Sequence, residues 1–334
     1  MTDVLVDVTR LLGRLLKGRL ATGVDRVDLA YVEHFAARAR AVVHLSGRHS
    51  VLSKRASERV FARLIAQRES LAAGVLAEVA AGVAAGLAEA VPAGAVYLNT
   101  GHSGLTRPHA LHRLRCRGLQ PVFMVHDLIP ITHHEYCREG EYQRHTARMH
   151  AVLETAATVL VNSNATSEAL AQFAAASGRR LPPLSVVPLA PGLRMHPPGS
   201  RLLAAPYFLV VSTIEPRKNL AFLLQVWRRL AERHGGETPR LVIIGQRGWE
   251  CENVVDLLER CEPLRGLVIE RGACPDAELS TWVHHAQALL FPSFVEGYGL
   301  PLLEALQAGT PVIASDLPVF REIAGRIPEY VDPL

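Results

Sequence analysis

The chain has 334 residues, more than one hydrophobic core usually supports, so two domains of about 150 residues each are expected. Apolar residues make up 49% and charged residues 20%, with 21 Pro and 25 Gly, which excludes a disordered chain and a collagen-like repeat. The cysteines Cys116, Cys137, Cys251, Cys261 and Cys274 are odd in number and form no CxxC pair, which argues against a disulfide framework or zinc ribbon and for a reducing, cytoplasmic setting. The net charge of +4 is uneven: residues 1–200 carry 23 Lys and Arg against 15 Asp and Glu, a net +8, and residues 201–334 carry 13 against 17, a net −4. Scattered solvated Arg accounts for such a bias, and peripheral contact with an anionic membrane face is the functional alternative.

The opening MTDVLVDVTRLL sets Asp3 and Asp7 among apolar residues, with no basic n-region ahead of an apolar stretch, so no signal peptide is read. Strands are expected at Val4–Val8, Ala41–Leu45, Ala95–Leu98, Pro121–Val125, Thr158–Val161 and Leu184–Val187, with helices between them. Residues 71–91 are Ala- and Gly-rich and include Glu78 and Glu89, and read as a helix too weakly apolar to span a bilayer. From Pro188 to Pro206, Pro and Gly break both periods, which places the boundary between domains 1–195 and 206–334. A strand at Tyr207–Ser212 restarts the pattern. It leads to a helix with Leu220, Leu223, Leu224, Trp227 and Leu230 on one face, ended by His234-Gly235-Gly236. Strands at Leu241–Ile244, Gly266–Ile269, Ala288–Phe291 and Thr310–Ala314 follow. Alternating strands and helices predict an α/β protein of two Rossmann-like domains facing each other across a ligand cleft.

Two loops carry the chemistry. The first is FPSFVEGYGLPLLE, residues 291–304, where Gly297 and Gly299 permit close backbone approach and Pro301 opens a helix. Free N–H groups at that helix start suit a phosphate. Glu296 and Glu304, with seven residues between them, would repel a phosphate unless they face other parts of the ligand, and sugar hydroxyls are suitable donors. The second loop is STIEPRKN, residues 212–219, whose Arg217 and Lys218 can neutralise a diphosphate as charge builds on a leaving group. An ordinary surface pair is the plainer reading, but cations just ahead of a helix are electrostatically misplaced, which favours function.

The run of EPRKN, LVIIG, RGACPDAEL and FPSFVEGYGLPLLEALQAGTPVIASD, about residues 206–325, resembles the nucleotide-sugar domain of retaining GT-B glycosyltransferases of family 4, or group 1. The resemblance implies that Arg217 and Lys218 meet the donor diphosphate, Glu304 the ribose hydroxyls and Glu296 the transferred sugar. It implies main-chain contacts from Gly297, Tyr298, Gly299, Leu300 and Pro301, and puts Ser212 at the donor loop and Gly245 and Cys274 near the base. In the first half, VHDLIP with His126 and Asp127 resembles the family's histidine motif at the anomeric centre. TGVDR, residues 22–26, resembles the glycine loop over the donor phosphates, giving Gly23 that role, and NSNAT, residues 162–166, resembles the end-of-strand serine segment. Relatives continue past the point where this sequence stops at Leu334, with helices that cross back onto the first domain.

These readings imply a metal-independent, retaining hexosyltransferase of mannosyltransferase type, acting in bacterial polysaccharide or glycolipid synthesis. It would move a sugar from a nucleoside diphosphate donor to a hydroxyl of a glycan or lipid-linked acceptor, with no resident cofactor. His133-His134, His145 with His150, and His284-His285 lack metal-ligand spacing, and no Asp-x-Asp triplet occurs. No GxGxxG follows the first strand and no GxxxxGK[ST] occurs, so NAD and triphosphatase chemistry are disfavoured, and no basic-aromatic interleaving suggests nucleic acid. The alternatives kept are an epimerase or glycan phosphorylase of the same fold, or a non-catalytic subunit.

Overall fold

The computed structural model describes residues 3–18, 22–45, 47–66 and 74–333. The chain divides into two compact units, residues 1–128 with 143–188, and residues 129–142 with 189–334. The break thus falls at Pro188, where the Pro-rich linker begins, and the short segment 129–142 belongs with the second unit. That segment is anchored there by its aromatic residues: the Tyr136 ring stacks on Phe294 at 5.2 Å, and Trp249 Nε1 donates to the Tyr136 carbonyl at 3.3 Å.

The first unit is built on seven strands, β1 (Val4–Asp7), β2 (Ala39–Leu45), β3 (Arg48–Val51), β4 (Val96–Asn99), β5 (Gln120–Val125), β6 (Thr158–Val161) and β7 (Leu184–Val186), in the order β3-β2-β1-β4-β5-β6-β7. All neighbours are parallel except β2 and β3, a hairpin in which Leu45 opposes Arg48 and His44 opposes His49. β1 is buried along its whole length, as a strand covered on both faces must be. On one face of the β1–β2 side, Val6, Val8, Leu52, Val60, Phe61 and Val79 form a core with the helices Thr9–Leu15, Lys54–Ala66 and Val75–Gly86. The expected helix over 71–91 is present as Val75–Gly86, its first residues lying outside the described ones. β3, the sequence RHSV with its residues no more than partly buried, has no apolar signature and escaped the sequence pattern.

The second unit has six strands, β8 (Tyr207–Val211), β9 (Arg240–Ile244), β10 (Val268–Arg271), β11 (Leu289–Phe291), β12 (Val312–Ser315) and β13 (Glu329–Val331), all parallel in the order β10-β9-β8-β11-β12-β13. Leu220, Leu223, Leu224 and Trp227 bury one face of the helix Leu220–His234 against β8 and β9 through Val210, Leu241 and Ile243, as the spacing predicts. The Trp227 indole N–H is satisfied by the Pro239 carbonyl at 2.9 Å. β13 is the one strand here without a sequence signal, being a three-residue, largely exposed edge.

In both sheets the strand order reverses direction at one place, between β1 and β4 and between β8 and β11. Connections leave such a point toward opposite faces of the sheet and open a crevice at the carboxyl ends of the strands. STIEPRKN follows β8 and FPSFVEGYGLP follows β11. Topology therefore makes neighbours of two loops that are far apart in sequence.

Candidate active site

In the second unit Glu215 is followed by a single tight helical turn, Pro216–Lys218, and Asn219, with a left-handed φ of 55°, redirects the chain into the helix Leu220–His234. This turn aims two cations at the β11 loop. Arg217 Nη1 donates to Glu296 Oε2 at 2.7 Å and to the Val295 carbonyl at 3.2 Å, and its Nε donates to Glu215 Oε1 at 2.6 Å. Lys218 Nζ donates to Glu296 Oε1, which also accepts from Ser293 Oγ at 2.7 Å. A backbone bond from Phe294 N to the Arg217 carbonyl, 2.8 Å, ties the two loops together.

The side chains of Glu215, Lys218 and Glu296 are buried, and burial is the largest influence on the ionisation of each. For Glu296 burial alone would raise the carboxyl, but the charges of Arg217 and Lys218 and the hydrogen bonds from Lys218 and Ser293 bring it down to about 2. Glu215 is raised by burial, against the pull of Arg217 and Lys218. Lys218 is lowered by burial and by Arg217, with Glu296 and Glu215 opposing. Glu296 is thus an ionised carboxylate at neutral pH, able only to accept hydrogen bonds. Three donors already occupy it, which leaves room for about one more.

The helix that follows, Leu300–Gln307, opens at Gly299 and carries Pro301 in its first turn. Gly299 has φ 118°, and a Cβ there would lie 2.7 Å from Phe320 Cε1, so no other residue fits the turn. Glu304 is buried on this helix and accepts the Leu193 N–H at 2.8 Å. That contact orients one oxygen of the carboxylate. The Tyr298 side chain is also committed: its hydroxyl accepts from Leu189 N at 2.8 Å and donates to the Leu189 carbonyl at 3.0 Å.

Ser212 and Gly245 end β8 and β9 against each other. A Cβ on Gly245 would fall 1.9 Å from the Ser212 carbonyl, and Ser212 Oγ is buried without a hydrogen-bond partner, an uncommon state for a hydroxyl. Gly248, which the sequence did not single out, is held as tightly, 2.7 Å from Cβ to the Ile214 carbonyl. Cys274 lies in the turn between β10 and the helix Asp276–His285, its thiol pushed up to about 11 by burial and the nearby Glu278. It is a poor nucleophile.

In the first unit His126 is buried just after β5, with Nε2 2.6 Å from the Thr100 carbonyl. A carbonyl only accepts, so Nε2 carries the proton and Nδ1 is the acceptor nitrogen. Burial pushes the ring's pKa down although the Thr100 contact and Asp127 oppose it, so the imidazole is neutral. The NSNAT segment frames the same residue: Asn162 Nδ2 donates to the His126 carbonyl at 2.8 Å, and Ser163 Oγ caps the helix Asn164–Ala176 by accepting from Thr166 N at 3.1 Å. Asp127 follows, its carbonyl 3.2 Å from His145 Nε2.

Two histidines that sequence reasoning did not place here complete the group. The His102 ring lies 5.3 Å from that of His126 and 5.9 Å from that of His145, with Nε2 2.7 Å from the Met124 carbonyl. Beside them Asp28 is raised to about 7 by burial, opposed by the Thr100 hydroxyl and Arg10, and Asp7 is raised to about 6 by burial, opposed by a 2.8 Å bond from Tyr97.

Gly23 follows β1 in the chain with one helix between them. The helix Thr9–Leu15 intervenes because Leu11 and Leu12 pack into the core, and Gly23 is the first residue of a second helix, Gly23–Phe35. Asp25 holds this start by accepting from Thr22 N at 2.7 Å and from Arg10 Nε at 2.6 Å, and it pairs with the Arg14 guanidinium at 2.8 Å.

The family described as "Glycosyl transferases group 1" matches residues 200–326. This stretch is a group 1 glycosyltransferase domain. Within it lie the Arg217, Lys218, Glu296 and Glu304 constellation and the loops after β8 and β11. O-antigen chain mannosyltransferase B of Escherichia coli is 37% identical over 127 residues, 38% of this chain and 33% of that protein. Serotype-specific mannosyltransferase WbdA of Escherichia coli is 29% identical over 231 residues, 63% of this chain and 28% of that protein. The chain thus spans about a third or less of the length of these relatives. The structure of Anabaena HepE in complex with UDP-glucose is similar at a TM-score of 0.67 and 15% identity, covering 100% of this chain and 86% of that one. The sucrose-phosphate synthase of Thermosynechococcus elongatus reaches 0.64 at 18% identity, with the same coverage. The glycosyltransferase domain and the unit before it together have the two-domain, Rossmann-like GT-B fold.

The positions that sequence reasoning missed are Glu215, Ser293, His102, His145 and Asp28. Glu215 stood inside the EPRKN motif, where a Glu ahead of a Pro reads as a turn residue.

Proposed function

We propose that the protein is a retaining, metal-independent glycosyltransferase that moves a hexose, a mannosyl group by its relatives, from a nucleoside diphosphate donor to a hydroxyl of a glycan or lipid-linked acceptor in surface polysaccharide synthesis. The observation that carries this reading is the buried Arg217–Lys218–Glu296–Ser293 network beside the Leu300–Gln307 helix start. Two cations on one tight turn suit a diphosphate, and an ionised carboxylate with one acceptor direction left suits a sugar hydroxyl. The relatives' mannosyltransferase names and the UDP and UDP-glucose named with HepE support a nucleotide-sugar donor.

On this reading the donor's C1–O bond lengthens while diphosphate charge grows, and Arg217 and Lys218 stabilise that growing charge more than the ground state. Glu215 and Glu296 hold the two cations in place, so little reorganisation is needed as the charge moves. Main-chain N–H groups of Gly297 to Pro301, where present, serve the phosphate and sugar, and Glu304 serves the ribose hydroxyls with its orientation set by Leu193. Ser212, Gly245 and Cys274 line the nucleoside side through backbone and a hydroxyl. His126, neutral with Nδ1 as acceptor, orients a hydroxyl of the reacting sugar. The leaving phosphate oxygen takes the acceptor's proton.

The test is calorimetric titration with UDP, GDP, ADP and dTDP in EDTA, followed by NMR of the anomeric configuration formed in a turnover assay with the diphosphate sugar of the base that binds. Saturable binding of one diphosphate, lost in Lys218→Ala, and an anomeric configuration equal to that of the donor are expected. Wild-type binding and turnover in Lys218→Ala would overturn the assignment.

A further inference from the structure

The first unit holds a second polar group, at the β2–β3 hairpin, that the transfer reading leaves unused. His44 and His49 face each other across the two strands with ring centroids 5.0 Å apart, and Nε2 of each is buried without a hydrogen-bond partner. The His49 ring packs edge-on against Tyr97 at 5.2 Å. Two arginines from the helix Pro108–Cys116 and its N-cap reach Gly47, the residue before β3. Arg113 Nη2 donates to the Gly47 carbonyl at 2.7 Å, and Arg107 Nη1 stands 2.7 Å from where a Gly47 Cβ would be. Arg48 opens β3.

Several arginines of the unit are paired with carboxylates. Arg10 and Arg14 share Asp25, Arg40 pairs with Glu89, and Arg59 and Arg63 share Glu78. Among the described residues no carboxylate pairs with Arg48, Arg107 or Arg113. The two histidines add no charge: burial and Arg107 push His44 down, and burial, His44 and Arg113 push His49 to about 4. A neutral imidazole still has one N–H to give, and guanidinium forks match phosphate oxygens. Unbalanced positive charge, two imidazole nitrogens without partners and Gly47 with its φ of 80° are therefore collected in one place.

We infer that the side chains gathered around Gly47 form a phosphate-binding subsite, with Arg107 and Arg113 supplying charge and the His44–His49 pair supplying N–H donors. On the glycosyltransferase reading, on which this assignment of the ligand rests, the phosphate belongs to the acceptor, either a water-soluble phosphorylated saccharide or a lipid-borne phosphate. Binding itself can be measured without turnover.

Inorganic phosphate is titrated into the whole protein while the imidazole resonances of His44 and His49 are followed by NMR. Saturable shifts are expected in the wild type and in Lys218→Ala, which disables the donor diphosphate turn, and not in the Arg107→Gln/Arg113→Gln double variant, whose two side chains are exposed. The pKa of His49 is expected to rise when phosphate is bound, because a dianion stabilises the imidazolium. Resonances that do not respond, or that respond equally in the double variant, would overturn the subsite. Co-sedimentation with phosphatidylcholine vesicles containing phosphatidic acid, lost in the double variant and absent with pure phosphatidylcholine, identifies a lipid-borne phosphate. A phosphate response without co-sedimentation identifies the soluble ligand. A protein that turns over donor but shows no phosphate response loses only the subsite, and one with the response but no turnover loses only the transferase reading.

Discussion

Glu296 is the residue whose replacement tests the candidate site most directly. Its carboxyl lies at about 2 in the fold against an ordinary 4.5, and each pH unit of that interval corresponds to about 1.4 kcal/mol of preference for the ionised form. The ionised group therefore adds about 3 kcal/mol to the stability of the second unit at neutral pH. Because the side chain is 7% exposed, solvent screening removes little of this. The folded pKa is depressed, so the contribution is fully present above 4.5 and is lost as pH falls toward 2. Glu296→Gln keeps the shape but leaves Arg217 and Lys218 with Glu215 alone, and should lower stability at pH 7 by about 3 kcal/mol, within the range found when a buried pair loses one partner. All three tryptophans, Trp227, Trp249 and Trp282, lie in the second unit, so urea unfolding followed by tryptophan fluorescence reports that unit. The wild type should lose stability between pH 5 and 3 more steeply than the variant. An unchanged midpoint at pH 7 together with an unchanged pH slope would refute the electrostatic argument.

Other consequences follow from single residues. Asp28 is raised to about 7 by burial, so the protonated form is favoured in the fold; the stability this lends the first unit is complete below the ordinary carboxyl range and declines as pH rises through 7. Asp28→Asn should flatten that decline, by up to about 4 kcal/mol between pH 4 and 8, in urea unfolding followed by far-ultraviolet circular dichroism; equal slopes in variant and wild type would count against it. Gly299→Ala forces a side chain onto φ 118° and into Phe320, and should cost about 1–3 kcal/mol while weakening diphosphate binding, both absent if the turn tolerates alanine.

Much of this molecule was legible because its chemistry sits in contiguous loops. EPRKN and the glutamates at 296 and 304 are recognisable as strings, and apolar runs such as LVII mark buried parallel strands without help from tertiary structure. What was not legible depends on neighbours that only the sheet supplies. Arg217 and Glu296 are 79 positions apart, and nothing in either loop says that β8 and β11 are adjacent. Ser293 reads as a loop residue until Glu296 turns back to accept its hydroxyl. Tyr298 was expected to contribute main chain, yet its phenol clamps Leu189, a contact that exists because the linker after Pro188 runs beside the β11 loop. His102 and His145 carry no spacing signal relative to His126, since the three come from different elements and meet through backbone carbonyls. Strands β3 and β13 were missed for a different reason: edge strands are short and polar, which is also what keeps them from pairing with other chains.

The two switch points, one in each sheet, are built with opposite electrostatics, and this difference bears on the proposed division of labour. Beside β8 and β11 the Glu296 carboxylate is ionised and each cation is held by a carboxylate. Charge is therefore available at fixed positions for a diphosphate. Beside β1 and β4 the buried groups are histidines driven neutral and aspartates whose burial favours the protonated form. Such groups offer directional hydrogen bonds with little net field, which suits hydroxyls better than phosphates. A neutral imidazole such as His126 belongs to the second kind, able to accept or donate a hydrogen bond without adding charge. A His126→Lys variant puts a cation where the fold holds a neutral imidazole, and on the proposed division of labour it should leave diphosphate binding by the second unit unchanged and lower transfer, whereas wild-type transfer would refute the role given to the neutral ring.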